Sequence, residues 1–165
     1  VKRAAFGSGD AVTVLPYDPV RDRVLVIEQF RFAPLVRGDP RPWSIEPIAG
    51  RIDAGENPEA AAHREAGEEA GLRLRDLVRH AAYYPSPGAV TEYLFSYIGL
   101  ADLPDAAARL GGLDEEAEDN RGLILSFDAL MDLVRAGEAQ NGPLLLSALW
   151  LQANRDGLRG SLLPK

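Results

Sequence analysis

Apolar and polar positions divide this chain into short segments whose period changes several times. Residues 11–15 (AVTVL) and 23–32 (RVLVIEQFRF) are rich in β-branched and aliphatic side chains and predict two strands. Pro16, Tyr17, Asp18 and Pro19 between them carry turn chemistry, so the pair reads as a hairpin. Residues 34–42, dense in Pro, Gly, Arg and Asp, predict an exposed loop. Residues 43–48 (WSIEPI) predict a short strand, irregular or at an edge because Pro47 has no N–H for a ladder. The pattern then turns helical. Asn57 suits an N-cap, Pro58 the first helical position, and Gly71 the stop, with an alanine run between them.

Beyond that helix, residues 79–84 and 93–100 predict strands, joined by a loop carrying Pro85, Pro87 and Gly88. Residues 101–122 read as a long loop with a helical turn near 106–108, and loops of that length are usually functional or mobile. A short strand is expected at 123–126. Phe127, Leu130, Met131 and Val134 then fall at helical spacing behind Ser126, a suitable cap. A last helix is predicted over about 143–154, with Leu145, Ala148, Leu149 and Gln152 on one stripe. Strands around one helix, followed by C-terminal helices, predict a layered α/β fold.

Composition narrows the class. At 165 residues the chain is sized for a single domain, and 46% hydrophobic with 26% charged residues describes an ordinary globular sequence. No apolar run approaches the ~20 residues that span a bilayer. With no cysteine, disulfides and thiolate chemistry are excluded, which fits a cytoplasmic enzyme. A net charge of −7 argues against non-specific nucleic-acid binding, and it means that an anionic substrate needs metal or local arginines. The chain begins at Val1, and its first residues read as the middle of something, so a preceding N-terminal segment is expected.

The candidate chemistry lies between Gly50 and Leu72 (GRIDAGENPEAAAHREAGEEAGL). On a helix Glu65, Glu68 and Glu69 stand at i, i+3 and i+4, so three carboxylates share a face and repel unless a cation sits there. Arg64 supplies one positive charge. The bland alternative is a solvated acidic face; the sharper one is a site for a hard divalent cation, which takes oxygen ligands. His63 falls at a variable position and reads as a surface residue, and His80 at a strand start. Ser8 and Ser86 have no surroundings that would make a nucleophile. Trp43 could stack on a base or pack in a core or dimer, and Trp150 reads as packing.

Gly50, five residues, Glu56, seven residues, Arg64-Glu65, two residues, Glu68-Glu69, one residue, Gly71 and Leu72 match the Nudix box at every spacing. Ala66 stands where a bulkier aliphatic is common. The chain therefore resembles the Nudix hydrolases. LPYDPVRDRVLVIEQFR, WSIEPIAG, SPG with Glu92 and GLDEEAEDNR further resemble bacterial ADP-ribose pyrophosphatases, as does Pro87, fifteen residues past Leu72.

The resemblance implies an α/β/α sandwich with a mixed sheet and a homodimer whose N-terminal β segment is swapped. It implies hydrolysis of ADP-ribose to AMP and ribose 5-phosphate, with two or more Mg²⁺ (or Mn²⁺) ions per site. Ala49 (through its carbonyl), Glu65, Glu68, Glu69 and Glu118 would be metal ligands, with Glu116 as general base or, one residue earlier, Glu115. Arg64, Glu56, Gly50 and Gly71 would support the box. Arg3 and Arg31 would meet phosphate and ribose, and Glu46 and Glu92 hydroxyls or adenine. The alternatives are a hydrolase of another sugar nucleotide, such as GDP-mannose, or a non-catalytic binder of ADP-ribose or NAD derivatives.

Overall fold

The computed structural model describes residues 1–105, 110–111 (backbone only) and 120–160. Among these, eight strands form one mixed sheet: β1 (Ala11–Asp18), β2 (Arg23–Phe30), β3 (Trp43–Glu46), β4 (Ile48–Arg51), β5 (Asp76–Tyr83), β6 (Leu94–Leu100), β7 (Leu110–Gly111) and β8 (Asn120–Ser126). Four helices accompany them: α1 (Phe32–Arg37), α2 (Pro58–Ala70), α3 (Phe127–Arg135) and α4 (Gly142–Gly160). The strand order is β5-β6-β1-β2-β8-β7, with β3 added to β2 and β4 to β1. Only β1 and β6 run parallel among the paired strands.

Side-chain alternation along the central strands separates two cores. Val12 and Val14 of β1, with Leu25 and Ile27 of β2, pack towards Ala61, Ala62 and Ala66 of α2. Leu15, Tyr17, Val24 and Val26 pack on the other face against Phe127, Leu130 and Met131 of α3 and Leu144, Ala148 and Leu151 of α4. All eight residues of β1 are buried, as befits a strand covered on both faces. Each fully buried Leu or Val contributes about 2 kcal/mol. The layers are α/β/α, as expected.

Two prolines mark a change of partner. β1 pairs with β4 at residues 11–14 and with β2 only at 17–18, so Pro16, inside the strand, falls where that neighbour changes. The hairpin turn therefore lies later than its sequence suggests, at residues 19–22. The Asp18 carboxylate accepts there from the N–H groups of Val20 (2.9 Å) and Arg21 (3.1 Å), and Asp22 takes a left-handed φ of 56°. Pro47 does the same between β3, bonded to β2, and β4, bonded to β1. This crossing delivers Ala49 and Gly50 beside β1.

Other expectations need correction. Residues 32–37 are helical, where the sequence predicts the second strand to run to 32 and a loop to begin at 34, although α1 buries no residue and stops at Gly38 (φ 82°). β5 begins at Asp76, so His80 lies inside it, at a bulge, and not at its start. β8 begins at Asn120. The buried stripe of α4 is Leu144, Ser147, Ala148 and Leu151, whereas Leu149 is half-exposed and Gln152 exposed. The helical turn expected near 106–108 lies outside the described residues.

Candidate active site

The box helix is held at both ends by its own sequence. Asn57 Oδ1 accepts from the N–H of Ala60 at 2.8 Å, Pro58 opens the helix, and Glu59 lies at its positive end. Gly71 closes it in the left-handed region (φ 61°), where the N–H of Leu72 reaches the carbonyl of Ala66 at 2.9 Å. Because α2 meets the sheet through alanines, its axis comes close to β4. The consequence is a contact between Glu65 and Gly50 so tight that a Cβ on Gly50 would stand 1.8 Å from the Glu65 carboxyl carbon.

Arg64 is the hub of the box. Nε and Nη2 donate to the two oxygens of Glu56 at 3.1 and 3.0 Å. Nη1 donates to Glu65 at 2.7 Å and to Glu68 at 2.9 Å, and Nη2 also reaches the carbonyl of Arg51 at 2.8 Å. All five guanidinium donors are therefore used. Bonding to Glu56 first, then to Glu65 and Glu68, raises the Arg64 pKa against its partial burial. Glu56 is held below the usual carboxylate range, chiefly by Arg64 and then by the N–H of Asp53. Repulsion among the box carboxylates is thus partly answered within the protein. Among the described residues, no three acidic or imidazole side chains form a closed metal cage.

Glu65 and Glu69 are buried at 9% exposure, and with the more exposed Glu68 they line a cleft of about 750 Å³. Ala49, Gly50, Arg51 and Asp53 from the start of the box share its wall with Ala11, Val12 and Thr13 of β1. Asn141 and Pro143, at the start of α4, face them. Six lining carboxylates (Glu46, Asp53, Glu65, Glu68, Glu69, Glu92) outnumber three guanidinium groups (Arg31, Arg51, Arg64). Such a surplus needs cationic compensation before a diphosphate can enter.

Arg31 and Glu46 both line the cleft, and they bind each other. Nε donates to one carboxylate oxygen at 3.0 Å and Nη2 to the other at 2.7 Å, with Glu46 buried. This fork orients Arg31. Glu92 also lines the cleft, whereas Arg3 is exposed and is not among its lining residues. Glu115, Glu116 and Glu118 lie outside the described residues. His63 is exposed. Trp43 packs edge-on against Phe30 at 5.8 Å, and Trp150 stacks on His80 at 5.5 Å. Sequence reasoning did not single out Arg51, Thr13, Asn141 or Pro143. For Arg51 the one available signal was its place directly after Gly50.

Comparison with known proteins agrees with this geometry. The NUDIX domain family model matches residues 7–146. An ADP-ribose pyrophosphatase of Escherichia coli (strain K12) is 36% identical over 159 residues, covering 96% of this chain and 75% of the relative. A GDP-mannose pyrophosphatase of Enterobacter sp. (strain 638) is 34% identical, covering 92% and 78%. A solved structure described as an ADP compounds hydrolase superposes with a TM-score of 0.63 at 24% identity, covering 88% of this chain and 74% of the other, and so shares the fold. With an intact box on a helix between sheet and cleft, and the family model matched over most of its length, the chain belongs to the NUDIX domain family.

Proposed function

We propose that this protein is a Mg²⁺-dependent diphosphatase that hydrolyses ADP-ribose to AMP and ribose 5-phosphate. One observation carries the reading: an intact, Arg64-braced set of box carboxylates on the wall of a cleft sized for a nucleotide sugar. Relatives named ADP-ribose pyrophosphatase, from E. coli and from Haemophilus influenzae (32% identical), favour the substrate. The relative named GDP-mannose pyrophosphatase supports a second reading, a hydrolase of another sugar nucleotide. A non-catalytic binding module is disfavoured, because every charged box position is retained.

The donor set fits a hard divalent cation. Glu65 and Glu69 are buried carboxylates facing the cleft, and the Glu65 carboxyl occupies space that only a glycine at position 50 leaves open. Glu65, Glu69, Glu68 and the Ala49 carbonyl would hold the ion, with Glu118 as a further ligand and substrate phosphate completing the shell. When bound, such ions neutralise the diphosphate and acidify water. The chain's own residues do the rest. Arg64 keeps Glu56, Glu65 and Glu68 in register, and Glu46 orients Arg31 towards the substrate. Glu116 takes the proton of the attacking water as its oxygen bonds to phosphorus and the bridging P–O bond breaks.

We also read the protein as a cytoplasmic homodimer. Around α1, Phe30, Phe32, Leu35, Val36 and Trp43 are 40–69% exposed, an apolar area that a second copy would cover. No helix among the described residues is long and apolar enough to cross a membrane. The test is product analysis with ADP-ribose, GDP-mannose and NADH, each with Mg²⁺ and with EDTA. EDTA-sensitive release of AMP and ribose 5-phosphate from ADP-ribose is expected. Turnover of GDP-mannose alone would transfer the assignment to the second reading, and binding of ADP-ribose without turnover would make the protein a binder.

A further inference from the structure

The cleft holds a guanidinium for which the box has no structural use. Of the three lining arginines, Arg64 spends all five donors on Glu56, Glu65, Glu68 and a carbonyl, and Arg31 is forked onto Glu46. Arg51, the last residue of β4, is exposed and makes no side-chain hydrogen bond or ion pair with the described residues. Its main chain is nonetheless fixed from two sides. It pairs with Ala11 across the sheet, and its carbonyl accepts the 2.8 Å bond from Arg64.

The surroundings of its side chain are also specified. Nη1 lies beside Gly9, 3.7 Å from where a Cβ would stand, and Gly9 takes a left-handed φ of 81°. A guanidinium that lines the same cleft as six carboxylates, and pairs with no carboxylate among the described residues, keeps its donors for an incoming anion. Its planar fork matches two oxygens of a phosphoryl group.

We infer that Arg51 is a substrate-anchoring residue of this cleft, donating to non-bridging oxygens of the diphosphate. The inference rests on the diphosphatase reading and adds to it a contact that the box motif does not specify, since position 51 lies among its variable residues.

The test compares wild type, Arg51→Met and Arg51→Lys. Equilibrium binding of ADP-ribose is measured by calorimetry in EDTA at low and high salt, and kcat and KM are measured with Mg²⁺. Losing one charge-assisted, partly solvated contact is expected to raise both the metal-free Kd and KM about tenfold in Arg51→Met. The loss is carried by KM more than by kcat, the salt dependence of Kd weakens, and Arg51→Lys recovers part of the affinity. Melting temperatures should match wild type, because the side chain is exposed. Wild-type Kd and KM in Arg51→Met, with wild type turning over ADP-ribose, would overturn this inference alone. A wild type that does not cleave ADP-ribose would instead overturn the functional reading beneath it.

Discussion

Replacing Arg64 by Met tests whether the box is an electrostatic assembly built around one cation. The guanidinium is 29% exposed and makes four hydrogen bonds to carboxylates and one to a carbonyl. Gross values of about 1.5–3 kcal/mol for each bond to a charged group would sum far too high, because water regains the released carboxylates. Breaking a fully buried pair costs about 3–5 kcal/mol. Partial exposure discounts that to about 2–3 kcal/mol, or roughly 5–10 °C in Tm for a domain of this size.

The same change has a pH signature. Bonding to Arg64 holds the folded Glu56 carboxyl below its ordinary range. Its stabilising contribution is therefore present above the unfolded carboxylate pKa, near 4.3, and disappears as pH falls through the folded value. Urea denaturation of wild type and Arg64→Met at neutral pH and below about pH 4 should give a gap that narrows in acid. Equal stability at neutral pH, or a gap that acid leaves unchanged, would refute the assembly.

Glu69→Gln should abolish Mg²⁺-dependent turnover with Tm within a few degrees of wild type; retained turnover would remove Glu69 from the ion site. Gly50→Ala should cut turnover at least a hundredfold at little cost in stability, because the new Cβ meets the movable end of Glu65, whereas Gly99→Ala meets Leu74 and Val14 at 2.9 Å and should lower stability by about 1–3 kcal/mol. The reverse pattern in melts and assays would contradict both contacts. Burial lowers the His80 pKa to about 4, so the folded protein takes up fewer protons than the unfolded chain between that value and about 6.5. His80→Phe, which keeps an aromatic ring against Trp150, should therefore lose less stability than wild type as pH falls through that window, by up to about 2–3 kcal/mol; parallel pH curves would contradict this.

What the sequence disclosed follows the range of the forces involved. α2 was legible to the residue because its cap, first proline and left-handed stop act within one turn. α1 gave no signal, since a six-residue helix that buries nothing leaves no apolar period to read. In α4 three consecutive leucines, 144–146, offer rival stripes, and packing against β1, β6 and α3 selects Leu144 and Leu151. The turn at 19–22 escaped notice because Pro16 looks like a breaker, and only the exchange of β4 for β2 beside β1 gives it a place inside a strand.

The site divides along the same line. Ala49 to Glu69 is contiguous, so one segment brings eight of the cleft's lining residues, and a spacing pattern marks Gly50, Arg64, Glu65, Glu68 and Glu69 among them. The remainder comes from Ala11–Thr13, Arg31, Glu46, Glu92, Leu94, Asn141 and Pro143, which only the sheet assembles. Pairing across that sheet also changes what a residue is able to do. Arg31 reads alone as a contact for phosphate and ribose, and Glu46 as one for hydroxyls or adenine; the structure joins them in one fork, which orients Arg31. Of the three guanidinium groups that line the cleft, Arg51 alone makes no side-chain bond to the described residues, and its type and position mean little until the other two have been accounted for.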